Sequence, residues 1–137
     1  MKNWYLFGAY TAFIVLVLTG AYRGVIPTEI GVIPMYDSIG HFVLYGIWFY
    51  LLHRALQKRK VIVMNFPIPL AFLILFPIIA LEEFAQKFTS TRTFSLTDLS
   101  WGFAGMCLFW FLTRKKNLLG FSVSFKHLAI HKPYREG

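Results

Sequence analysis

Two short stretches hold most of the candidate chemical side chains of an otherwise apolar chain. In the first, Asp37 and His41 are four residues apart, which places a carboxylate and an imidazole on one helix face, with Tyr45 one turn further along. A carboxylate near an imidazole favours its charged form and fixes its orientation, so the pair is suited to proton transfer. The alternative is that His41 is a histidine at a helix start that bonds to a neighbouring helix. The spacing is compatible with both.

The second stretch begins with Glu82 and Glu83. They lie four and three residues before Gln86, so either can share a helix face with this amide and serve as its hydrogen-bond partner. Arg92 follows, and its guanidinium can bind a phosphate or carboxylate of a lipid-linked ligand through two parallel hydrogen bonds. Equally, Arg92 can pair with Glu83 or Asp98 and hold the loop in place.

The end of this stretch carries signals for a helix start and for close helix packing. Ser95 and Asp98 form an S-x-x-D pair that fits a capping box, so Asp98 has a capping role whether or not it has another. Gly102 and Gly105 follow, and small residues at such positions let two helices approach closely. We therefore predict a helix that begins near Asp98 and packs through its glycines.

The arrangement of these residues matches no common catalytic motif. Neither the H-E-x-x-H of zinc proteases nor the G-x-S-x-G of serine hydrolases occurs in the sequence. His41, Glu83 and Asp98 could converge on a cation from three helices, but one histidine and two carboxylates are a weak zinc signal. We predict no metal, no cofactor and no catalytic residue, and we favour a role without enzymatic activity.

The composition favours an integral membrane protein over a soluble one. Of the 137 residues, 57% are hydrophobic and 15% are charged, and the mean hydropathy is +0.57, which is unlike a soluble globular domain. The formal charge of +8 comes from basic residues clustered between apolar runs, as in the cytoplasmic flanks of membrane helices. We therefore predict membrane lipids as partners and no nucleic acid. The single cysteine, Cys107, has no partner for a disulfide.

Four apolar segments predict an all-α fold of four transmembrane helices. They cover residues 4–22, 38–53, 66–86 and 97–112. A signal peptide is the alternative for the first segment. Asp37 is a natural N-cap for the second helix, and residues 66–69 place two prolines in the first turn of the third. Pro77 lies inside the third helix, where it should kink it.

Basic residues divide unequally between the two sides of such a bundle. Eleven of the fourteen lie at the N-terminus, in the second connector or after residue 113, and the positive-inside rule places these parts in the cytoplasm. We predict a membrane domain over residues 1–116 and a basic cytoplasmic tail over 117–137, in the inner membrane of a bacterium. The tail, in which apolar and polar residues alternate, is either interfacial or disordered, or an arm that orders against a partner.

The order and spacing of the polar residues resemble the VanZ-like family of small membrane proteins. Asp37, His41, Phe42 and Tyr45 match its D-K-x-x-H-F-x-x-Y segment except at the second position. Further along the chain, the family's pattern of E-x-x-Q, R, D and G is matched in residue type and in spacing. The matching residues are Glu83, Gln86, Arg92, Asp98 and Gly105.

This resemblance covers residues 4–114 and departs from the family at two positions. Ser38 stands where the family has lysine, and Gly102 where it often has asparagine, so the roles of those two side chains cannot be carried over. The family takes its name from a protein linked to resistance to the glycopeptide teicoplanin, and similar proteins are widespread in bacterial membranes. The resemblance implies a small multi-pass membrane protein of the cell envelope.

The predicted orientation places the candidate polar residues on the extracytoplasmic side, and two hypotheses follow for them. The candidate set is Asp37, His41, Glu83, Gln86, Arg92 and Asp98. In the first hypothesis, this set binds the headgroup of an envelope lipid or of a lipid-linked glycan. In the second, the protein is a non-catalytic accessory or structural subunit of a larger membrane complex, in which the set pins helix ends and the aromatic helices and tail contact partners. The aromatic content of 19% favours the second hypothesis.

Overall fold

The computed structural model of the protein describes residues 2–25, 35–90 and 92–118, with side chains as far as residue 114. This part of the chain is mostly helical, in agreement with the predicted all-α class. The elements in chain order are α1 (Lys2–Tyr22), α2 (Tyr36–Ala55), β1 (Lys60–Val63), β2 (Phe66–Pro69), α3 (Leu70–Ala85), a 3-10 turn (Gln86–Phe88) and α4 (Leu96–Leu118). The predicted tail beyond residue 118, and most of the predicted loop before α2, lie outside the described residues.

A β-hairpin replaces the predicted start of the third helix. Strands β1 and β2 pair antiparallel, with Lys60 opposite Pro69, and the N–H of Leu70 donates to the carbonyl of Arg59 at 3.0 Å. The two turn residues, Met64 and Asn65, have φ of 47° and 67°, the left-handed pair that a two-residue hairpin turn requires. The prediction that this helix begins at residue 66 is therefore wrong: prolines suit an extended edge strand as well as a first helical turn.

The second helix also begins earlier than predicted. Its N-cap is Met35, with φ of 60° and no side-chain capping bond, and Asp37 lies inside the first turn. Asp37 is therefore not the N-cap. Its carboxylate still lies near the positive end of the helix dipole, which favours a negative charge there.

Helix α2 is the centre of the packing, since it contacts α1, α3 and α4, and its contact with α4 is the most extensive. Fully buried apolar side chains from three helices, Phe49, Leu75, Ile79 and Met106, form the core between them. Two glycines of α4 make the close approach to α2 possible. A Cβ built on Gly105 would overlap the backbone carbonyl of Phe42, and one built on Gly102 would lie 2.8 Å from the Tyr45 ring.

One helix of the described residues, α1, is both long and apolar enough to cross a membrane on length and composition. Only 11% of its most apolar window is buried inside the protein. Helix α3 is as apolar but shorter, at 16 residues, because the hairpin takes the segment in front of it. Pro77 lies inside α3, as expected from the sequence.

Candidate functional site

Polar side chains gather where the C-terminal ends of α1 and α3 meet the N-terminal ends of α2 and α4. We refer to these residues as the polar cluster. Its members are Tyr22, Asp37, Ser38, His41, Tyr45, Glu82, Glu83, Gln86, Arg92, Ser95 and Asp98. All six candidate residues named from the sequence belong to it, so the fold brings together side chains that are far apart in the chain.

Glu82 joins three helices at this end of the bundle. Its carboxylate accepts hydrogen bonds from the hydroxyl of Tyr22 at 3.1 Å, the hydroxyl of Tyr45 at 2.9 Å and the amide of Gln86 at 3.2 Å. Three donors from α1, α2 and the turn after α3 thus hold one carboxylate in a fixed orientation. A half-buried carboxylate needs such donors, because burial without hydrogen bonds is costly.

Glu83, the next residue, is more deeply buried and faces α2 and α4. Its side chain is 1% exposed. One carboxylate oxygen accepts the backbone N–H of Ser95 at 2.8 Å, and the other accepts the amide of Gln86 at 3.1 Å. The second oxygen also lies 3.6 Å from Nε2 of His41. Gln86 therefore bridges both glutamates. The sequence allowed either glutamate as its hydrogen-bond partner, and in the structure both are.

His41 has its two ring nitrogens in different surroundings. Nδ1 lies 2.8 Å from the backbone carbonyl of Asp37, and because a carbonyl only accepts, Nδ1 carries a proton. The Asp37 carboxylate is further away, at 3.7 Å. Nε2 points instead at Glu83, and the ring edge packs against Tyr45 at 5.2 Å. The nearest hydrogen-bonded contact of His41 is thus the Asp37 backbone, while its free nitrogen faces a different carboxylate.

Arg92 pairs with Asp37, rather than with Glu83 or Asp98, the partners that the sequence predicts. Its Nη2 lies 3.1 Å from both carboxylate oxygens of Asp37. Glu83 and Asp98 are occupied by donors of their own, which leaves Asp37 at the rim for the loop guanidinium. Burial disfavours the charge of Arg92, but the Asp37 carboxylate more than offsets this, and the pKa of Arg92 is raised.

Asp98 combines a capping position with a contact across helices. Its N–H donates to Oγ of Ser95 at 3.2 Å, which is one half of the expected capping box. The other half is absent, because the N–H of Ser95 donates to Glu83 instead. The Asp98 carboxylate accepts the hydroxyl of Ser38 at 2.6 Å. Ser38, where the VanZ-like pattern has lysine, therefore supplies a donor to this buried carboxylate.

Within the part of the chain that the structure describes, two groups of three side chains place one potential metal-ligand atom each within 4.8 Å of one another. The first group is Asp37, His41 and Asp98, and the second is His41, Glu82 and Glu83. The first is already occupied, because Arg92 pairs with Asp37 and Ser38 with Asp98. In the second, Glu82 and Glu83 also accept hydrogen bonds, but Nε2 of His41 faces a Glu83 oxygen with no hydrogen bond between them.

Sequence reasoning missed two members of the polar cluster. Tyr22 reaches Glu82 from 60 residues away, and Ser38 reaches Asp98 across the same separation. A tyrosine at the end of an apolar segment is typical of any membrane interface, so its type alone gives no such signal. For Ser38, its place in the D-x-x-x-H segment was the available hint.

No protein-family model, curated protein or solved structure matches this chain. The contacts of the polar cluster and the surfaces around it are therefore the basis for a functional assignment.

Proposed function

We propose that the chain is a four-helix integral membrane protein of the VanZ-like type that binds the headgroup of an envelope lipid at Arg92. It would lie in the bacterial inner membrane as a multi-pass protein with both termini in the cytoplasm. Support comes from the apolar segments, from the distribution of basic residues, and from large exposed apolar side chains. On α1 these include Tyr5 at 74% and Leu16 at 71% exposure, as suits a helix that faces lipid.

The observation that carries the headgroup assignment is the unused capacity of Arg92. Only Nη2 contacts Asp37, and Nη1 and Nε make no hydrogen bond to the described residues. Guanidinium N–H groups form strong, charge-assisted hydrogen bonds to phosphate, so Arg92 can donate from Nη1 or Nε to a phosphate while Nη2 keeps its contact with Asp37. Its side chain is 14% exposed and that of Asp37 is 39% exposed, so the pair lies at the rim of the polar cluster.

The surroundings of the pair suit a ligand with an apolar portion. A cleft of about 60 Å³ between α1 and α2 is lined by Leu18 and Leu44 and ends at Asp37, His41 and Arg92. This volume holds a few water molecules or one small group, so the bulk of a ligand must lie outside it. A phospholipid meets this condition, because its chains can lie along the exposed face of α1 while the headgroup reaches the rim.

The experiment compares Arg92→Gln with Lys87→Gln in protein purified in mild detergent. Lys87 is a matched control because it is exposed on the same loop and rests on the rings of Phe84 and Phe94. Native mass spectrometry with phosphatidylethanolamine, phosphatidylglycerol and phosphatidylcholine measures retained lipid. We expect wild type and Lys87→Gln to retain a phospholipid that Arg92→Gln loses. Equal retention by all three proteins would refute the assignment.

A second candidate function is that of an accessory subunit in a membrane complex. The observation in its favour is the tip of the hairpin, where Ile62, Met64 and Phe66 are 75%, 88% and 72% exposed. A hairpin with apolar residues at its tip is a surface that a protein partner can cover. Copurification in mild detergent tests this: a stoichiometric partner that is lost when Met64 and Phe66 become serine supports it, and a monodisperse lone protein counts against it.

A further inference from the structure

We infer that His41, Glu82 and Glu83 form a binding site for one divalent transition-metal ion. The site lies inward of the Asp37–Arg92 pair and does not use Arg92. The inference is therefore independent of the proposed headgroup function, and either can fail alone.

The contact between His41 and Glu83 carries the inference. Nδ1 of His41 donates to the Asp37 carbonyl, so a neutral His41 directs the lone pair of Nε2 at a carboxylate oxygen of Glu83, 3.6 Å away. Two acceptors facing each other in a buried place repel unless a cation lies between them. His41 is 7% and Glu83 is 1% exposed, so water screens this repulsion little. A metal ion with bonds of ~2.1 Å holds ligand atoms roughly 3–4 Å apart. The His41–Glu83 pair already has this spacing, and one oxygen of Glu82 completes a group whose atoms all lie within 4.8 Å of one another.

The outer contacts of the three side chains are those of oriented metal ligands. A metal-binding histidine almost always donates its other N–H to a carbonyl or carboxylate, as His41 does to Asp37. The carboxylates are likewise held, Glu82 by Tyr22 and Tyr45 and Glu83 by the N–H of Ser95. These donors fix the carboxylate planes, and one oxygen of each carboxylate lies within 4.8 Å of a ring nitrogen of His41.

The charge balance of the polar cluster also favours a bound cation. In the described residues, the polar cluster contains four carboxylates, those of Asp37, Glu82, Glu83 and Asp98, beside one guanidinium, that of Arg92, and the imidazole of His41. Burying excess negative charge is unfavourable without a compensating cation. One imidazole with carboxylates suits zinc, iron(II), manganese or cobalt(II) rather than a soft ion that prefers thiolate.

The test uses the full chain in mild detergent, stripped with a chelator and titrated with Co²⁺, whose visible absorption reports its ligands. We expect one Co²⁺ per chain, displaced by Zn²⁺, and a higher melting temperature with the metal bound. His41→Gln should weaken binding by more than tenfold. Tyr45→Phe removes only a hydrogen-bond donor to Glu82 and should weaken Co²⁺ binding by roughly 10–100-fold. This second variant still tests the site if His41→Gln does not fold.

A matched control addresses the two histidines of the tail. His127 and His131 lie in the tail and could bind metal nonspecifically, so the double variant His127→Gln/His131→Gln is titrated in parallel. We expect this variant to bind Co²⁺ as wild type does. Absence of one-to-one binding by the wild type, or loss of binding in the tail variant with retention in His41→Gln, overturns the inference.

Discussion

The close approach of α2 and α4 at Gly105 is open to a direct test by Gly105→Ala. A Cβ at this position would overlap the carbonyl oxygen of Phe42 and lie 2.9 Å from its carbonyl carbon and 3.1 Å from its Cα, where ordinary contacts are 3.4–4 Å. All three atoms belong to the backbone of α2, so no side chain can rotate away. The helices must separate instead.

The expected cost follows from this geometry. Overpacking a well-packed interior costs about 1–3 kcal/mol, and the backbone neighbour places Gly105→Ala at the upper end of that range. Alanine recovers up to ~1 kcal/mol through its higher helix propensity. The net loss is about 2 kcal/mol, which is roughly a 30-fold change in the folding equilibrium.

The assay is thermal unfolding in mild detergent, with Gly8→Ala as the matched control. Gly8 also lies inside a helix, but a Cβ there meets no atom within 4 Å, so its replacement should leave the melting temperature unchanged or slightly higher. In Gly102→Ala the new Cβ meets the Tyr45 ring, which can rotate, so its melting temperature should lie between those of the other two variants. A Gly105→Ala protein as stable as Gly8→Ala would refute the described contact between α2 and α4.

Three further predictions concern single side chains and share this unfolding assay. Ser38→Ala removes the hydroxyl donor of buried Asp98 and should lower the free energy of unfolding by about 1–3 kcal/mol. Ser38→Thr keeps a hydroxyl and should retain most of that stability. Equal losses of stability in the two variants would contradict the hydrogen bond. His53→Phe should be neutral or stabilising, because it keeps the stack on Phe49 at 5.4 Å and removes a buried Nδ1 that has no hydrogen-bond partner among the described residues. A clear loss of stability would reveal a polar partner. Met64→Gly should stabilise the protein by up to about 1 kcal/mol, since φ is 47° there. A left-handed conformation costs a residue with a side chain about 1–2 kcal/mol, and the conformational entropy of glycine offsets about 0.5–1 kcal/mol of that gain. Met64→Val should be destabilising, and the reverse order would contradict the turn.

Helix content and the identity of the polar residues could be predicted from the sequence because both depend on neighbours in the chain. Apolar runs long enough for several helical turns predicted α1, α2 and α4 near their observed positions. The glycines of α4 signalled a close contact, because only a missing side chain allows two backbones to meet. The hairpin was missed, since residues 66–69 contain prolines compatible with both a strand and a first helical turn.

The pairing within the polar cluster could not be predicted, because each partner choice depends on where the helices meet. The sequence offered Glu83 or Asp98 as partners for Arg92, but Glu83 is taken by Ser95 and Asp98 by Ser38. Only the packed structure shows which donor pairs with which carboxylate. The remaining carboxylate, Asp37, then pairs with Arg92 at the rim.

The sequence by itself determined a mostly helical, apolar chain with a small set of ionisable residues in two stretches. The tertiary structure alone decided that Arg92 pairs with Asp37, that His41 directs Nε2 toward Glu83, and that Tyr22 reaches Glu82 from another helix. The physical reason is the distance along the chain over which each interaction acts. Helix propensity and hydrophobic periodicity act over a few residues, whereas a buried hydrogen bond between residues 60 apart exists only once packing has fixed the distance between two helices.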